Sequence, residues 1–394
     1  MISREELRQL AAFECDPPEF AVTFYVQPGT PKDKSHREEA ILAKDLVRKT
    51  LQELEPGGRS RGLSADLERI LHLAETLHGN GARSKVVFAC NARDVWREYD
   101  LPPGALQTRI FVNRRFHLKT LASLFFEHPR YWIALVDRHS ARFLEVDTEN
   151  VRERGTLSIS LPRYGRSDGY AGYNAGHVQR HSEDEIRRHF RAAAEVLKTA
   201  VGVRQCEALV IACHDVNWPD FQAQLHPDVR KCLLGRFSAD LSSLADQKAK
   251  DEAERILHDS LQRRHQELIR ETLEEARANG RGVTGLRRVL RATEMGEVET
   301  LIMTHDYSAR AVECSGCRHV DSHLVSYCPV CGRATRALDD VCEALVPTAI
   351  RNNLELVLSP PNDMLDRVGN IAALLRFRAD RNTNRIAGFI SRNL

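Results

Sequence analysis

No stretch of this 394-residue chain is apolar for long enough to cross a bilayer. The longest apolar run lies within residues 206–213, far short of the roughly 20 residues that a spanning helix needs. The opening residues, Met1-Ile2-Ser3-Arg4-Glu5-Glu6, carry no apolar signal core, so a cytoplasmic location without membrane attachment is expected. There is no excess of one charge either. Lys and Arg number 57 against 55 Asp and Glu, a net charge of +2, so any nucleic-acid surface has to be local. The Gly-x-Ser-x-Gly nucleophile turn, the phosphate-binding P-loop and the dinucleotide-binding glycine fingerprint are all missing. A disulfide scaffold is not indicated. Of ten cysteines, four form a metal-type pattern. The rest (Cys15, Cys90, Cys206, Cys213, Cys232 and Cys342) lie mostly within apolar segments, as buried thiols of a reducing compartment do.

What is present is organised around residues 164–181, which read Tyr-Gly-Arg-Ser-Asp-Gly-Tyr-Ala-Gly-Tyr-Asn-Ala-Gly-His-Val-Gln-Arg-His. Glycines at 165, 169, 172 and 176 and the absence of any helical or strand period predict a long solvated loop. Ser182 with Glu185 reads as a capping box. Ile186, Phe190, Ala193, Leu197 and Val201 then repeat at helical spacing until Gly202. Arg163, Arg166 and Arg180 flank the loop.

A chain of this length, with 42% hydrophobic and 28% charged residues, forms two or three domains. Val22, Phe24 and Val26 predict a strand. A charged helix follows with Ile41, Leu42, Leu46, Val47 and Leu54 on its apolar side. A glycine loop at 56–62 carries Arg59 and Arg61, which fit phosphate contact or plain solvation. A second helix bears Leu67, Ile70, Leu71, Ala74 and Leu77. Strands at 85–90 and 109–112 and a helix at 117–127 complete a first α/β domain, residues 1–128. A hairpin (131–137 and 141–147), a third strand (154–161), the loop and its helix, a central apolar strand (207–213) and a last strand (233–241) make a middle domain, residues 129–244. His214-Asp215 at a strand end fits acid–base chemistry or a turn with a satisfied histidine. A long charged helix from about 246 to 278 opens a third segment, residues 245–378. There helices at 286–293 and 338–352 alternate with strands at 298–305, 354–359 and 371–377, which argues a layered α/β sandwich. Residues 379–394 form a basic tail.

Cys314-x2-Cys317 and Cys328-x2-Cys331 are the strongest motif. Two such knuckles let four thiolates close a tetrahedron around one zinc ion, with no position left open, so the site reads as structural and the ribbon as residues 312–334. His319 and His323 between the knuckles read as surface residues. His177 and His181 have the spacing of a helical metal pair, but a cap at Ser182 leaves both ahead of the helix.

The order of these features resembles the archaeo-eukaryotic class-I release factor and Pelota superfamily, as a bacterial member, over roughly 20–378. The resemblance is carried by Val26-Gln27-Pro28-Gly29-Thr30 and Arg115-Phe116-His117-Leu118-Lys119-Thr120-Leu121 in the first domain. In the third it is carried by Gly285-Leu286-Arg287-Arg288-Val289-Leu290, Met295-Gly296-Glu297-Val298-Glu299-Thr300-Leu301-Ile302 and Gly369-Asn370-Ile371-Ala372-Ala373-Leu374-Leu375-Arg376-Phe377-Arg378. It implies a ribonuclease-H-like mixed sheet in the middle domain and an α/β/α sandwich of the kink-turn-binding type in the third. It also implies a translation factor whose first domain faces the decoding centre, whose glycine-rich loop reaches the peptidyl transferase centre, and whose third domain binds a translational GTPase. Release factors carry Gly-Gly-Gln at the loop tip, where this chain has Ala175-Gly176-His177. Residues 57–61, Gly-Gly-Arg-Ser-Arg, lack the stop-codon motif. The resulting expectation is a factor that binds ribosomal RNA in the A site of vacant or stalled ribosomes, in hibernation or rescue, without decoding. Gly172, Gly176, His177, Arg163, Arg166, Arg180, Arg59 and Arg61 are its candidate RNA contacts. The alternatives are a peptidyl-tRNA hydrolase in which His177 replaces the glutamine, and an RNA-binding protein acting off the ribosome.

Overall fold

The computed structural model describes residues 2–16, 18–27, 38–53, 61–76, 84–101, 107–127, 129–147, 150–159, 174–203, 206, 208–241 and 244–378. The side chains of 38–40, 53, 127, 150 and 174–181 lie outside that description. The chain divides into two units, Met1–Phe126 with His265–Leu394, and Glu127–Arg264. Among the described residues no helix is long and apolar enough to cross a membrane.

The first part of unit 1 opens with α1 (Arg4–Ala12), whose Ser3 cap accepts from the Glu6 N–H while Glu6 Oε2 accepts from the Ser3 N–H at 2.8 Å. Then come β1 (Ala21–Val26), α2 (Glu38–Glu53), α3 (Arg61–Thr76), β2 (Ser84–Cys90), β3 (Val95–Leu101), β4 (Arg109–Asn113) and α4 (Lys119–Glu127). The strands form an antiparallel sheet in the order β3-β2-β1-β4. Alternation along the strands sends Val22, Phe24, Val26, Val87 and Ala89 to one face, against α2 and α3. It sends Tyr25, Val86 and Phe88 to the other, against Phe116, Leu118 and Leu121. Two expectations are corrected here. Arg61 is the first residue of α3 rather than part of a loop, and is exposed. The buried side of α2 is centred on Ala43 and Val47, which turns Ile41 and Leu42 to solvent. A helix rotates to bring its small residues against a neighbour, and hydrophobicity alone does not fix that angle.

Unit 2 contains β5 (Tyr131–Val136), β6 (Ser140–Asp147), β7 (Asn150–Ser158), α5 (Asn174–Gly202), β8 (Leu209–Cys213), α6 (Trp218–Gln224), α7 (Pro227–Cys232), β9 (Leu233–Phe237) and the first part of α8 (Asp246–Arg277). Its sheet is mixed, in the order β7-β6-β5-β8-β9. β5, β6 and β7 are antiparallel neighbours, and β5, β8 and β9 are parallel. Phe190, Ala193 and Leu197 of α5 cover one face, with Trp132, Phe143 and Ile211. Ala249, Ala253 and Leu257 of α8 cover the other, with Ile133, Leu144 and Val210. β8 is buried on both faces, which is why it reads as an unbroken apolar run. The last strand stops at Phe237 instead of 241.

α5 corrects the reading of the glycine-rich segment. The helix begins at Asn174, so Ser182 and Glu185 lie inside it and Ala175, Gly176, His177, Arg180 and His181 are helical in backbone. Nothing in 174–181 stops a helix. Proline is absent, Ala175, Gln179 and Arg180 are good helix formers, and one glycine costs only about 1 kcal/mol. Once the face around Phe190 and Leu197 is packed, each further turn needs no new nucleus.

The remainder of unit 1 runs β10 (Gly282–Thr284), α9 (Leu286–Glu294), β11 (Val298–Thr304), β12 (Ala311–Cys314), β13 (Val320–Asp321), β14 (Thr335–Leu338), α10 (Cys342–Arg351), β15 (Glu355–Ser359), α11 (Asp363–Asp366) and β16 (Ile371–Leu375). One sheet has the order β10-β16-β11-β15. Ile269 and Leu273 of α8 pack on one side, with Ile302, Val357 and Ala372. α9 and α10 pack on the other through Val289, Leu290, Leu345 and Val346. This is the expected α/β/α sandwich. The helix expected over 338–352 starts only at Cys342, because 335–338 pair with β12. Phe116, Leu118 and Leu121 share one hydrophobic core with Val289, Leu301 and Leu345.

Candidate functional site

The four cysteines converge. β13, β12 and β14 form a small sheet from which both knuckles project. Cys314 Sγ lies 3.3 Å from Cys331 Sγ and Cys317 Sγ 3.6 Å from Cys328 Sγ, and all four sulfurs lie within 4.8 Å of one another. A tetrahedron with zinc–sulfur bonds of about 2.3 Å requires sulfurs about 3.8 Å apart, so the donor set fits such an ion. The backbone prepares the sulfurs for negative charge. The N–H groups of Gly316 and Cys317 donate to Cys314 Sγ at 3.3 and 3.4 Å, and that of Val330 donates to Cys328 Sγ at 3.4 Å. The Cys317 N–H is the largest influence that holds the Cys314 thiol at about 6, well below its ordinary value. His319 pairs with Glu294 at 2.9 Å and His323 with Asp321 at 3.0 Å, so neither belongs to the sulfur cluster.

The knuckles close alike. The Arg318 N–H donates to the Cys314 carbonyl and the Gly332 N–H to the Cys328 carbonyl, at 3.2 and 2.9 Å. Both closures need a positive φ, +63° at Arg318 and +72° at Gly332. Glycine adopts this freely, while arginine is strained there. Arg318 has a compensating contact, its guanidinium lying 2.7 Å from Glu14 Oε2.

That contact is part of a network that the sequence does not announce. Arg115, 7% exposed, donates to both carboxylate oxygens of Glu313, 3% exposed, at 3.1 and 2.6 Å, and to Glu14 at 3.0 Å. Arg336 also donates to Glu313. Glu313 immediately precedes the first zinc-type cysteine, so a buried fork-to-fork pair fixes the base of the ribbon to the loop before α4. The one signal in the sequence is Arg115 within a stretch already singled out. Its partner, 198 positions away, has none.

In unit 2 a pocket of about 300 Å³ opens at the carboxyl ends of the parallel strands, lined by Asp137, Arg138, His214, Asn217 and Asp240 among others. Its polar groups are largely committed to each other. Arg138 donates to Asn217 Oδ1 at 2.8 Å, and Asn217 donates to Asp137 at 3.1 Å. His214 Nδ1 accepts from the Val216 N–H, and Asp215 is tied to Arg236 at 2.7 Å. The His214-Asp215 pair is thus a satisfied turn. Of the candidate RNA contacts, Arg59, Arg163, Arg166 and Gly172 lie outside the described residues, as do the side chains of His177 and Arg180.

Residues 117–257 match the family model of bacterial archaeo-eukaryotic release factor family 10. No curated protein matches the chain. Among solved structures it is similar to the archaeal translation termination factor aRF1 (17% identity, 95% of this chain and 99% of that one, TM-score 0.25). It is also similar to Archaeoglobus fulgidus Pelota (14%, 77% and 81%, 0.32). A third likeness is to S. cerevisiae Dom34, described as a translation termination-like factor involved in RNA quality control pathways and interacting with Hbs1 (10%, 75% and 79%, 0.39). The family match runs from just before α4 into α8 and spans the whole of α5 with the glycine-rich residues before it, so that this part of the chain is similar to bacterial archaeo-eukaryotic release factors.

Proposed function

We propose that the protein is a ribosome-binding translation factor that occupies the A site of vacant or stalled ribosomes, in hibernation or rescue, without reading a stop codon and without hydrolysing peptidyl-tRNA. The observation that carries this reading is the family match over 117–257 together with the backbone of Ala175-Gly176-His177, which lies in the first turn of α5. Ester hydrolysis needs a water held within hydrogen-bond reach of the scissile carbonyl, and a misplacement of about 1 Å costs on the order of a hundredfold in rate. A histidine on a helical turn has less freedom to reach such a geometry than a glutamine on two flexible glycines. Arg59, Arg61, Arg163, Arg166 and Arg180 are the proposed RNA contacts of this mode, with Gly172 and Gly176 allowing close backbone approach.

In this reading residues 1–128 face the decoding centre, residues 129–244 reach towards the peptidyl transferase centre, and residues 245–378 receive a translational GTPase. The location is the cytoplasm. The ion of the ribbon is zinc, held by Cys314, Cys317, Cys328 and Cys331. It stabilises local structure and leaves no position for substrate.

The test uses purified ribosomes carrying labelled formyl-methionyl-tRNA in the P site. Cosedimentation that disappears when the A site is filled by tRNA, with formyl-methionine release at background, is the expected result. Release well above background that is lost in His177→Ala would instead make the protein a peptidyl-tRNA hydrolase. Failure to sediment with ribosomes under any condition would leave only RNA binding off the ribosome.

A further inference from the structure

Unit 1 holds a cavity of about 330 Å³ between α1, the end of α4 and the turn from α10 into β15. That is the size of a small-molecule site. Its floor is apolar. Leu7, Ile350 and Leu354 belong to the buried core of unit 1, and Phe125 and Phe126 pack on that core half-buried. The two rings stand edge to face, with centroids 5.4 Å apart and planes at 89°. Such a pair offers ring surface to a further aromatic or aliphatic group.

The rim is polar and carries both signs of charge. Arg4 and Arg8 are one turn apart on α1, on either side of Leu7, and both line the cavity. Arg8 donates to Asn353 Oδ1 and lies 3.7 Å from Glu5, so its guanidinium is held between α1 and the turn after α10. The opposite wall is set by how α10 stops. Asn353 takes a left-handed φ of +53°, which asparagine tolerates, and the Leu354 N–H returns to the Ala349 carbonyl at 2.9 Å. That closure buries Leu354 under the cavity and brings Glu355, the first residue of β15, to its rim. Glu355 Oε2 accepts from Thr300 Oγ1 at 3.1 Å, and a carboxylate has lone pairs for further donors.

This combination selects among ligands. A plain hydrophobe would fill the floor and leave the charged groups without a role. An apolar anion would meet the carboxylate of Glu355, and an apolar amine would meet two guanidinium groups. A molecule with a carboxylate, an ammonium and an apolar side chain uses every group that lines the cavity.

We infer that this cavity binds a free apolar α-amino acid, aromatic by preference, with its carboxylate on Arg4 and Arg8, its ammonium on Glu355 and its side chain against Phe125 and Phe126. The site is separate from the ribbon and from the glycine-rich residues, and it does not rest on the ribosome-binding reading.

The test is calorimetric titration of the full chain with phenylalanine and with relatives that each lack one feature. Phenylpropionate has no ammonium, phenethylamine has no carboxylate, and aspartate keeps both charges without an apolar side chain. Phenylalanine should bind about tenfold or more tighter than the first two, since each of them loses hydrogen bonds to a charged group, and aspartate should not bind. The Arg4→Gln/Arg8→Gln variant should lose about tenfold in affinity for phenylalanine and keep or improve its affinity for phenethylamine. Glu355→Gln should lose a similar amount for phenylalanine and keep or improve its affinity for phenylpropionate. A variant that merely unfolded would lose every ligand alike. The inference is overturned if the parent takes up no phenylalanine, if any of the three relatives binds as tightly, or if the double variant keeps its affinity. N-acetylphenylalanine stands for the end of a protein chain and should bind as weakly as phenylpropionate. If it binds as tightly as phenylalanine, the cavity belongs to a chain terminus and the amino-acid inference fails.

Discussion

The cysteine ribbon and the helical residues 174–181 were both singled out by glycine, cysteine and histidine spacing, yet they relate to the fold in opposite ways. In the ribbon, the cysteine cluster and the local fold are one arrangement. The four sulfurs are gathered by tight turns, the backbone N–H groups point at them, and Glu313 beside Cys314 is buried against Arg115. At 174–181 the chain forms the first turns of a helix whose described contacts with the core of unit 2 include Ile186, Phe190 and Leu197. A short-range constellation with demanding chemistry can be read directly. A segment whose role depends on backbone conformation cannot, because the same residues suit a loop or a helix.

The comparison can be broken most forcefully at the ribbon. Cys328→Ser, or removal of metal by a chelator, should abolish stoichiometric zinc and unfold residues 312–338, since the binding free energy of such a site is folding free energy, about 10 kcal/mol or more. Elemental analysis and hydrogen exchange check this. Fast exchange should be confined to unit 1, and unchanged exchange in the ribbon would show that the metal is not structural.

Next in size is Glu313→Ala. It strands the Arg115 guanidinium in a buried place and should destabilise unit 1 by about 3–5 kcal/mol in urea unfolding. Glu313→Gln, which keeps an acceptor, should cost less. If Glu313→Ala costs under about 1 kcal/mol, the ribbon is not fixed through this pair.

A smaller effect comes from two half-buried groups of unit 1 that titrate in opposite senses. Burial, helped by Asp340, raises the Glu343 carboxyl from 4.5 to about 7, while Asn113 donates to it at 2.7 Å. Burial lowers His117 from 6.5 to about 4, against the pull of Asp340. Between pH 4.5 and 7 the folded state keeps a proton on Glu343 that the unfolded chain has lost, so this contribution falls as pH rises. Between pH 4 and 6.5 the unfolded chain binds a proton that half-buried His117 refuses, so this one rises with pH. The two oppose each other where the windows overlap. Glu343→Gln should expose a stability that climbs with pH, and His117→Phe one that declines. Neither slope should exceed about 1.4 kcal/mol per pH unit. Identical pH profiles for both variants would contradict the assignment.

The smallest effect sharpens the other side of the comparison. Gly176→Ala should leave the fold intact or stabilise α5 by up to about 1 kcal/mol, as for a glycine inside a helix. Ribosome cosedimentation should weaken if close approach at Gly176 matters. A marked loss of stability would show that residue 176 does not stay helical.

Much of the architecture was legible. Val22, Phe24 and Val26 announced β1, the apolar run before His214 announced β8, and the alternation of helices and strands after 280 announced the sandwich. Other elements were hidden for identifiable reasons. β3 reads Val-Trp-Arg-Glu-Tyr-Asp-Leu, too polar to stand out, because it is an edge strand with half-exposed side chains. α1 is short, and its Ser3–Glu6 capping box is the signal that would have found it. β13 and β14 are brief and exist through pairing with β12.

The sequence by itself determined the four-cysteine set of Cys314, Cys317, Cys328 and Cys331, which could hold a metal ion, the buried strands and the apolar side of α5 from Ile186 onwards. In each case the information is local, in spacing and period. Only the tertiary structure decided that Arg115 meets Glu313 across 198 positions, that α2 turns Ile41 and Leu42 outwards, and that α5 reaches back to Asn174. These are matters of which surfaces pack together. Helical rotation, long-range charge pairing and the point where a helix stops each balance local preferences of about 1 kcal/mol or less against packing energies several times larger.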